Sequence, residues 1–351
     1  MSTPIRFAII GLDHWYTAIE LAKECAAHPG IDLVGIADLD EAHARQIAGE
    51  TGVERVTTDL QEFINDPEID AIASMVSVDL NPDIVIAAAK AGKHILSVKP
   101  LARTLEEATG ILNAVREAGV TFIPAETRLR DSALNQYLHD LVTSGKLGTL
   151  VSGNLIVSGG LPTPWPGEEP TGGWWVDPQR APGGGWIDHS IYQIDLLRWL
   201  LGEEVVSVSG HAANLVHKDL DVEDYGHAVI EFAGGATFGV EDTWSGPKGA
   251  WRNELSLIGT EGAVSVDTAT GKVSTFGVSG EQGWTHEEYP SAARDAIAPL
   301  IAAIRGEETV LGTIEDGWIN LAVCRAFYDA AESKRAVTPE ALPGGSGEKS
   351  R

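Results

Sequence analysis

The chain has 351 residues, 43% of them hydrophobic and 22% charged, which is ordinary globular composition and enough length for two domains of typical size. Its formal net charge of -26 argues against nucleic acid and against an anionic membrane as partners, since both repel a polyanionic surface; the blander consequence of so much acid is solubility. Two cysteines, Cys25 and Cys324, fall in helical patterns and read as small buried hydrophobes, and no Cys/His cluster has zinc spacing, so no metal is expected. No apolar run approaches bilayer length and the first residues lack a signal-peptide pattern, which makes the cytoplasm the expected location.

Residues 5–11 form a short continuous apolar run of the kind that makes a strand covered on both faces. Apolar residues then recur at helical spacing over 16–27, and 31–37 reads as a second strand ending in Asp38. Strand, helix and strand in this length make the right-handed parallel unit of a doubly wound sheet. The alternation continues through helices at 41–51, 59–65, 81–91 and 105–118, with strands at 69–76, 94–98 and 120–123. This is a nucleotide-binding type of architecture, in which ligands lie beyond the carboxyl ends of the strands.

The character changes after Pro124. A helix over 130–144 is followed by a strand from Leu147, a Pro/Gly/Trp-rich loop over 159–185 and a helix over 186–201. Short alternating segments at 205–209, 227–232, 236–244, 253–258, 263–266 and 273–276, separated by turns such as Gly234-Gly235, predict a mainly antiparallel sheet. Helices over 292–304 and 315–333 close the fold. The division expected is a dinucleotide-binding domain over 1–124, a substrate-binding and oligomerisation domain over 125–342, and a disordered tail over 343–351.

Gly11 directly after the first strand and Asp38 at the end of the second suit a dinucleotide, with pyrophosphate on the helix N-terminus and adenosine ribose on the carboxylate. The second and third glycine positions hold Asp13 and Tyr16, so the loop also reads as a ligand-free structural turn. If a cofactor binds, Asp38 favours NAD over NADP by accepting from a ribose diol and repelling a 2'-phosphate. Leu12 and His14 belong to the same loop. Lys99 follows an apolar strand and precedes Pro100, which places it where ligands bind; the alternative is a solvated surface lysine. A lysine there could polarise a substrate hydroxyl or take its proton, with its pKa lowered if it is partly desolvated.

Gly183, Gly184 and Gly185 run into a helix on which Asp188, Tyr192 and Asp195 share one face. The glycines permit close backbone approach, or make a flexible loop. Asp188 reads as a catalytic group or a salt-bridge partner, and Tyr192 as a catalytic phenol or core. Trp174, Trp175 and Trp186 offer faces for a sugar ring, or domain-junction packing.

On several stretches the chain resembles the Gfo/Idh/MocA oxidoreductase family. Gly92-Lys93-His94-Ile95-Leu96-Ser97-Val98-Lys99-Pro100-Leu101-Ala102 is similar to the family's GKHVLCEKPLA, and Ser144-Gly145-Lys146-Leu147-Gly148 to its SGEIGE turn. Residues 183–202 resemble GGGxxxDxGxHxxDLLRWLLG. The resemblance implies an α/β fold: an N-terminal Rossmann-type parallel sheet domain plus a C-terminal α+β domain with a large, mainly antiparallel open sheet that makes a homodimer or homotetramer. It implies hydride transfer between NAD(P) and a secondary alcohol or ketone of a sugar, sugar derivative or cyclic polyol. Lys99, Asp188 and Tyr192 then become the catalytic set, with Tyr192 standing where most members carry a histidine. Gly11, Leu12, Asp13, His14, Asp38, Val76, Asn81 and Lys99 become the cofactor set, and Arg128, Trp174, Trp175 and His189 the substrate contacts. Val98 replaces the motif's glutamate, one residue fewer separates the glycines from Asp188, and residues 76–81 depart from the family's Thr-Pro-Asn-x-x-His. These departures keep two rivals open: a non-catalytic sensor or regulator that retains the fold, and a transient-oxidation enzyme, of epimerase or glycoside-cleaving type, with tightly held NAD. The loop over 159–182 is expected to set substrate choice.

Overall fold

The computed structural model describes residues 3–280, 283–288, 290 and 295–344. The first sheet is built as the apolar runs require. β1 (Ile5–Ile10) is buried along nearly its whole length, and α1 (Trp15–Ala27) follows it. β2 (Ile31–Ala37) leads into α2 (Glu41–Thr51), which starts where the Asp40 carboxylate accepts the amides of Ala42 and His43 and stops at Gly52 in the left-handed conformation. β3 (Arg55–Thr57), α3 (Glu62–Asn65), β4 (Ala71–Ser74), α4 (Asn81–Lys90), β5 (His94–Ser97), α5 (Leu105–Ala118) and β6 (Phe122–Pro124) complete six parallel strands in the order β3-β2-β1-β4-β5-β6. The order reverses between β1 and β4, which opens the crevice where such sheets bind ligands. β3 escapes the sequence pattern because it is a three-residue edge strand that is only half buried.

The helix expected over 130–144 is two elements. A 3-10 turn covers Ala125–Asp131, and α6 (Ala133–Thr143) starts afresh at Ser132, which is extended and whose hydroxyl accepts the Asn135 amide. β7 (Leu150–Ser158) and α7 (Gly185–Leu201) follow. The strands β8 (Val205–Ala213), β9 (Tyr225–Phe232), β10 (Thr237–Thr243), β11 (Arg252–Gly259), β12 (Ala263–Asp267), β13 (Lys272–Phe276) and β14 (Trp284–Glu288) come next. Eight strands make the second sheet in the order β14-β13-β12-β11-β7-β10-β9-β8, antiparallel except for the pair β7 and β10.

The last two helices tie the sheets together. α8 (Ala298–Ile304) buries Leu300 and Ile301 in the core that contains β1, and α9 (Ile314–Ser333) packs against α5, β6, α7 and β8. Trp318 of α9 donates to Thr109 of α5, while Trp186 of α7, fully buried, stacks on Phe327 of α9 at 3.6 Å. Of the helix expected over 292–304, residues 292–294 lie outside the described residues, as do residues 345–351 of the expected tail. Among the described residues no helix is long and apolar enough to cross a membrane.

Gly11 ends β1 at φ +84, and a Cβ there would lie 2.6 Å from the Val76 amide nitrogen. Gly11→Ala is therefore expected to destabilise the protein by about 2 kcal/mol or more, since both the left-handed backbone and the backbone clash oppose it. An unchanged midpoint in chemical denaturation would refute this.

Candidate active site

The first turn of α7 is pressed into the molecule. A Cβ on Gly184 would meet the Glu223 carbonyl at 2.1 Å, and one on Gly183 would meet the Tyr328 hydroxyl at 1.9 Å. The glycines thus serve close approach, and the Glu223 carboxylate accepts the amides of Gly184 and Trp186 and the hydroxyl of Tyr328. This seating aims Asp188 at Lys99, which lies just past the carboxyl end of β5.

Lys99 Nζ donates to Asp188 Oδ1 at 2.7 Å and also to the Asp188 carbonyl. The second carboxylate oxygen accepts from Trp244 Nε1 at 3.0 Å. Both side chains are almost completely buried, and the ammonium lies 5.1 Å from the centre of the Tyr192 ring. Burial alone would lower the lysine pKa, but the Asp188 carboxylate outweighs it and holds the ammonium above its ordinary range. Burial likewise opposes the Asp188 charge, yet His189 and Lys99 hold that carboxyl below its ordinary range. The shift of Lys99 thus runs upward, against the direction that desolvation alone would give. Burial also pushes the Tyr192 phenol up, so it too is a donor at neutral pH.

Tyr192 and His189 line a cavity of about 430 Å³ between α7, α6, α1 and the strands β7, β11 and β12. Tyr16, Gln193, Leu129, Leu155, Glu254 and Trp251 form much of the rest of its wall. The loop over 159–182, expected to set substrate choice, contributes none of this lining among the described residues. It crosses the strand ends of the first sheet. Trp165 stacks on His43 with ring centres 3.6 Å apart, and Trp15 donates to the Thr163 carbonyl. Trp174 donates to the Asp13 carbonyl and packs on His14, and Trp175 stacks on Tyr16. Arg180 donates to the Ser77 hydroxyl and pairs with Asp79. Trp174 and Trp175, expected at the substrate, thus sit against the loops that follow β1 and β4.

The crevice fits a dinucleotide at its adenosine end. Asp38 is nearly buried at the end of β2, accepts the Leu12 amide at 2.6 Å and the Asp40 amide at 2.8 Å, and is pushed up to about 6, chiefly by burial. Asp13, in the second glycine place, turns its carboxylate into the loop after β4, where it accepts the Ser77 amide at 2.7 Å with Arg180 nearby. Its charge is thereby drawn off the phosphate path. Toward Lys99 the crevice holds polar atoms without a hydrogen bond among the described residues: both ring nitrogens of His14 and Trp175 Nε1 are buried and unpartnered. Burial, with Lys99 adding to it, lowers His14 to about 3, so its ring is neutral and offers one acceptor and one donor.

One expected contact is corrected. Asn81 is fully buried and its amide binds Ser74, Ser97 and the Leu101 carbonyl, so it staples β4 to β5 and does not face the crevice. Arg128 pairs with Glu24 of α1 while its charge acts on the Tyr192 phenol, and its neighbour Leu129 lines the cavity. Val76 closes over Gly11. Sequence reasoning missed Trp251, which meets His189 edge to face at 4.6 Å, and Asp242, which flanks the same ring. Asp242 carried a legible signal: Phe238, Val240 and Asp242 share the inward phase of β10, an acid where the pattern calls for an apolar residue.

A nucleotide-type crevice beside a buried, ion-paired lysine and a largely apolar cavity defines a two-domain, dinucleotide-dependent oxidoreductase. The model of an oxidoreductase family with an NAD-binding Rossmann fold matches residues 5–126, and that of the GFO/IDH/MocA C-terminal domain matches residues 135–265. scyllo-Inositol 2-dehydrogenase (NAD(+)) of Bacillus subtilis is 30% identical over 341 residues, covering 92% of this chain and 93% of that protein. 1,5-Anhydro-D-fructose reductase of Ensifer adhaerens is 28% identical, covering 89% and 92%. Among solved structures, GenD2 from gentamicin A biosynthesis in complex with NAD superposes with a TM-score of 0.81 at 26% identity, covering 97% of this chain and 98% of that one. Levoglucosan dehydrogenase in complex with NADH shares the fold at 0.84, with 22% identity and coverage of 97% and 100%. The chain belongs to the Gfo/Idh/MocA family of NAD(P)-dependent oxidoreductases.

Removing one partner of the buried pair strands the other charge. Asp188→Ala is expected to cost about 3–5 kcal/mol in urea unfolding, and the double variant Lys99→Met/Asp188→Leu to recover most of that loss. Equal destabilisation of the single and double variants would show that the pair is not what the site rests on.

Proposed function

We propose that this chain oxidises a secondary alcohol of a sugar, sugar derivative or cyclic polyol, with NAD as the hydride acceptor. The observation that carries this reading is the Lys99 ammonium, fixed by Asp188 and facing the Tyr192 ring beside the cavity. The loop of Gly11, Leu12, Asp13 and His14, together with Asp38, Val76 and Lys99, would hold the cofactor, which when bound accepts a hydride from the substrate carbon. Lys99 donates to the substrate oxygen and favours the negative charge that grows there, with the Tyr192 hydroxyl as a second donor. Tyr16 and Trp251 offer aromatic faces to the apolar side of a ring. The relatives named for inositol and anhydrofructose support the substrate class.

Asp38 supports NAD over NADP, because its carboxylate repels a 2'-phosphate. One relative, D-xylose 1-dehydrogenase (NADP(+)) 2 of Haloferax volcanii, is named for the other cofactor, so the preference rests on this residue and not on the family. In calorimetry NAD is expected to bind at least about tenfold more tightly than NADP, and Asp38→Ala to narrow the gap. Reduction of NAD, followed by absorbance across a sugar and polyol panel, is expected to fall about a hundredfold or more in Lys99→Met. Lack of NAD binding, or full activity in that variant, would end the reading.

The contacts of Trp165, Trp174 and Arg180 across the crevice favour a second reading, a cofactor held through many turnovers for a transient oxidation. A relative named 2,7-anhydro-N-acetylneuraminate hydratase, from Escherichia coli, is 26% identical over 276 residues. Nucleotide absorbance that survives purification of the protein would select this reading over the first.

The outward face of the second sheet supports self-association. Val151, Val206, Val229, Ile258 and Phe276 are 40–46% exposed on it, a row of apolar side chains across five strands. Sedimentation is expected to show a dimer or tetramer, and charged replacements at Val229 and Ile258 to dissociate it. A wild-type monomer at micromolar concentration would refute this.

A further inference from the structure

The oxidation proposed above concerns the reacting end of the cavity and leaves the rest of a substrate unassigned. One side chain in the wall carries a hydrogen-bonding group that the protein itself does not use. The Gln193 side-chain oxygen is buried with no hydrogen-bond partner among the described residues, and the residue is only 8% exposed. A buried amide left unpaired is costly, and its retention calls for a partner from outside the chain. We propose that Gln193 hydrogen-bonds a hydroxyl group of the substrate ring, and that the cavity it lines takes uncharged sugars and polyols and excludes sugar phosphates and sugar acids.

The helix places the amide. His189, Tyr192, Gln193 and Leu196 recur at the spacing of one face of α7, and all four line the cavity. The Tyr192 ring lies against the Lys99 ammonium at the reacting end, and Gln193 is the next residue along the same wall. Asn135 of α6 also lines the cavity, but its amide nitrogen is held by the Leu129 carbonyl at 2.8 Å and does not serve Gln193. A carboxamide both donates and accepts, which matches a hydroxyl group, a donor and acceptor in turn.

The charges around the cavity decide what else it admits. Among the described residues its lining holds no lysine or arginine, and its one carboxylate is Glu254. Cations in adjoining positions are each engaged by acids: Lys99 by Asp188, Arg128 by Glu24, and Arg252 by Glu254 and Asp267. The His189 ring faces Asp188 and Asp242. A phosphate or carboxylate group entering here would give up its hydration for a wall without a cation to receive it, in a chain whose net charge of -26 has the same sign. A hydroxyl group gives up far less, and Gln193 restores it. Leu155, Val157, Leu255 and Val266 supply the apolar surface that suits the C–H face of a ring.

The inference rests on the oxidoreductase reading, and its first readout needs no turnover. Gln193→Leu removes the unpaired amide at nearly constant volume, so the ligand-free variant is expected to melt at or above the wild-type temperature. A clearly lower midpoint would show that the amide serves the fold, and overturns the proposal. Turnover is then compared on matched compounds, with NAD reduction as the signal: D-glucose against its phosphate ester and glucuronate, and myo-inositol against its monophosphate. The uncharged member is expected to be used at least about a hundredfold better. For the better uncharged substrate, Gln193→Leu is expected to raise KM about tenfold and to move kcat less than about threefold. Among the monodeoxy derivatives of that substrate, one is expected to be about tenfold poorer than the parent in wild type and no poorer in the variant. Preference for a charged compound, or a variant that keeps every wild-type discrimination, overturns the proposal and leaves the oxidoreductase reading intact. Wild-type protein that reduces NAD with no compound of the panel sinks both.

Discussion

The ion pair between Lys99 and Asp188 is the constraint on which the site depends. It joins the end of a parallel strand in one sheet domain to the first turn of a helix in the other, with both charges out of water. A buried pair of this kind contributes little net stability, since desolvation offsets most of its attraction, but losing either member leaves a charge with no solvent and no partner. That asymmetry makes the pair a register device. The two domains meet in an arrangement that satisfies it, and the glycines before Asp188 let the start of α7 sit close against Glu223, Asp224 and Tyr328.

A second consequence is chemical. The pair favours the ammonium form of Lys99, so Asp188 tunes the charge of the lysine beside the cavity. Asp188 faces both Lys99 and His189, so the two side chains are electrostatically linked through a single carboxylate. Tyr192, one helical turn on, lies against the same ammonium and completes the polar end of a cavity whose remaining wall is aromatic and aliphatic.

The tryptophan-rich loop shows how a position can be legible while its contacts are not. Its composition marks it as special, and a role in substrate choice is the natural expectation. The loop instead lies along the first sheet's strand ends: Trp165 on α2, Trp174 on the turn after β1, and Arg180 on the turn after β4. These are the segments from which a doubly wound sheet grips a dinucleotide, so the loop's contacts lie on that side of the molecule. Asp13 follows the same logic. In the sequence it is a negative charge in a phosphate loop, whereas in the fold its carboxylate is consumed by the Ser77 amide.

Periodicity by itself determined the two-sheet organisation, because buried parallel strands, amphipathic helices and alternating antiparallel strands each leave a local pattern that short-range sterics and burial impose. It also picked out Lys99, Asp188 and Tyr192, since strand-end position and helical spacing are local properties, and the family resemblance added their joint role. What only the tertiary structure decided are matters of long-range contact and solvent exclusion. The Lys99 charge state depends on a carboxylate 89 positions away. Asn81 turned from a ligand candidate into an internal partner because other segments reached it first. Asp242 faces His189 across 53 positions, and its partner appears in no local pattern. Spacing within one element can place side chains on a shared face, but which charge meets which, and how far from water, is settled only when distant segments pack.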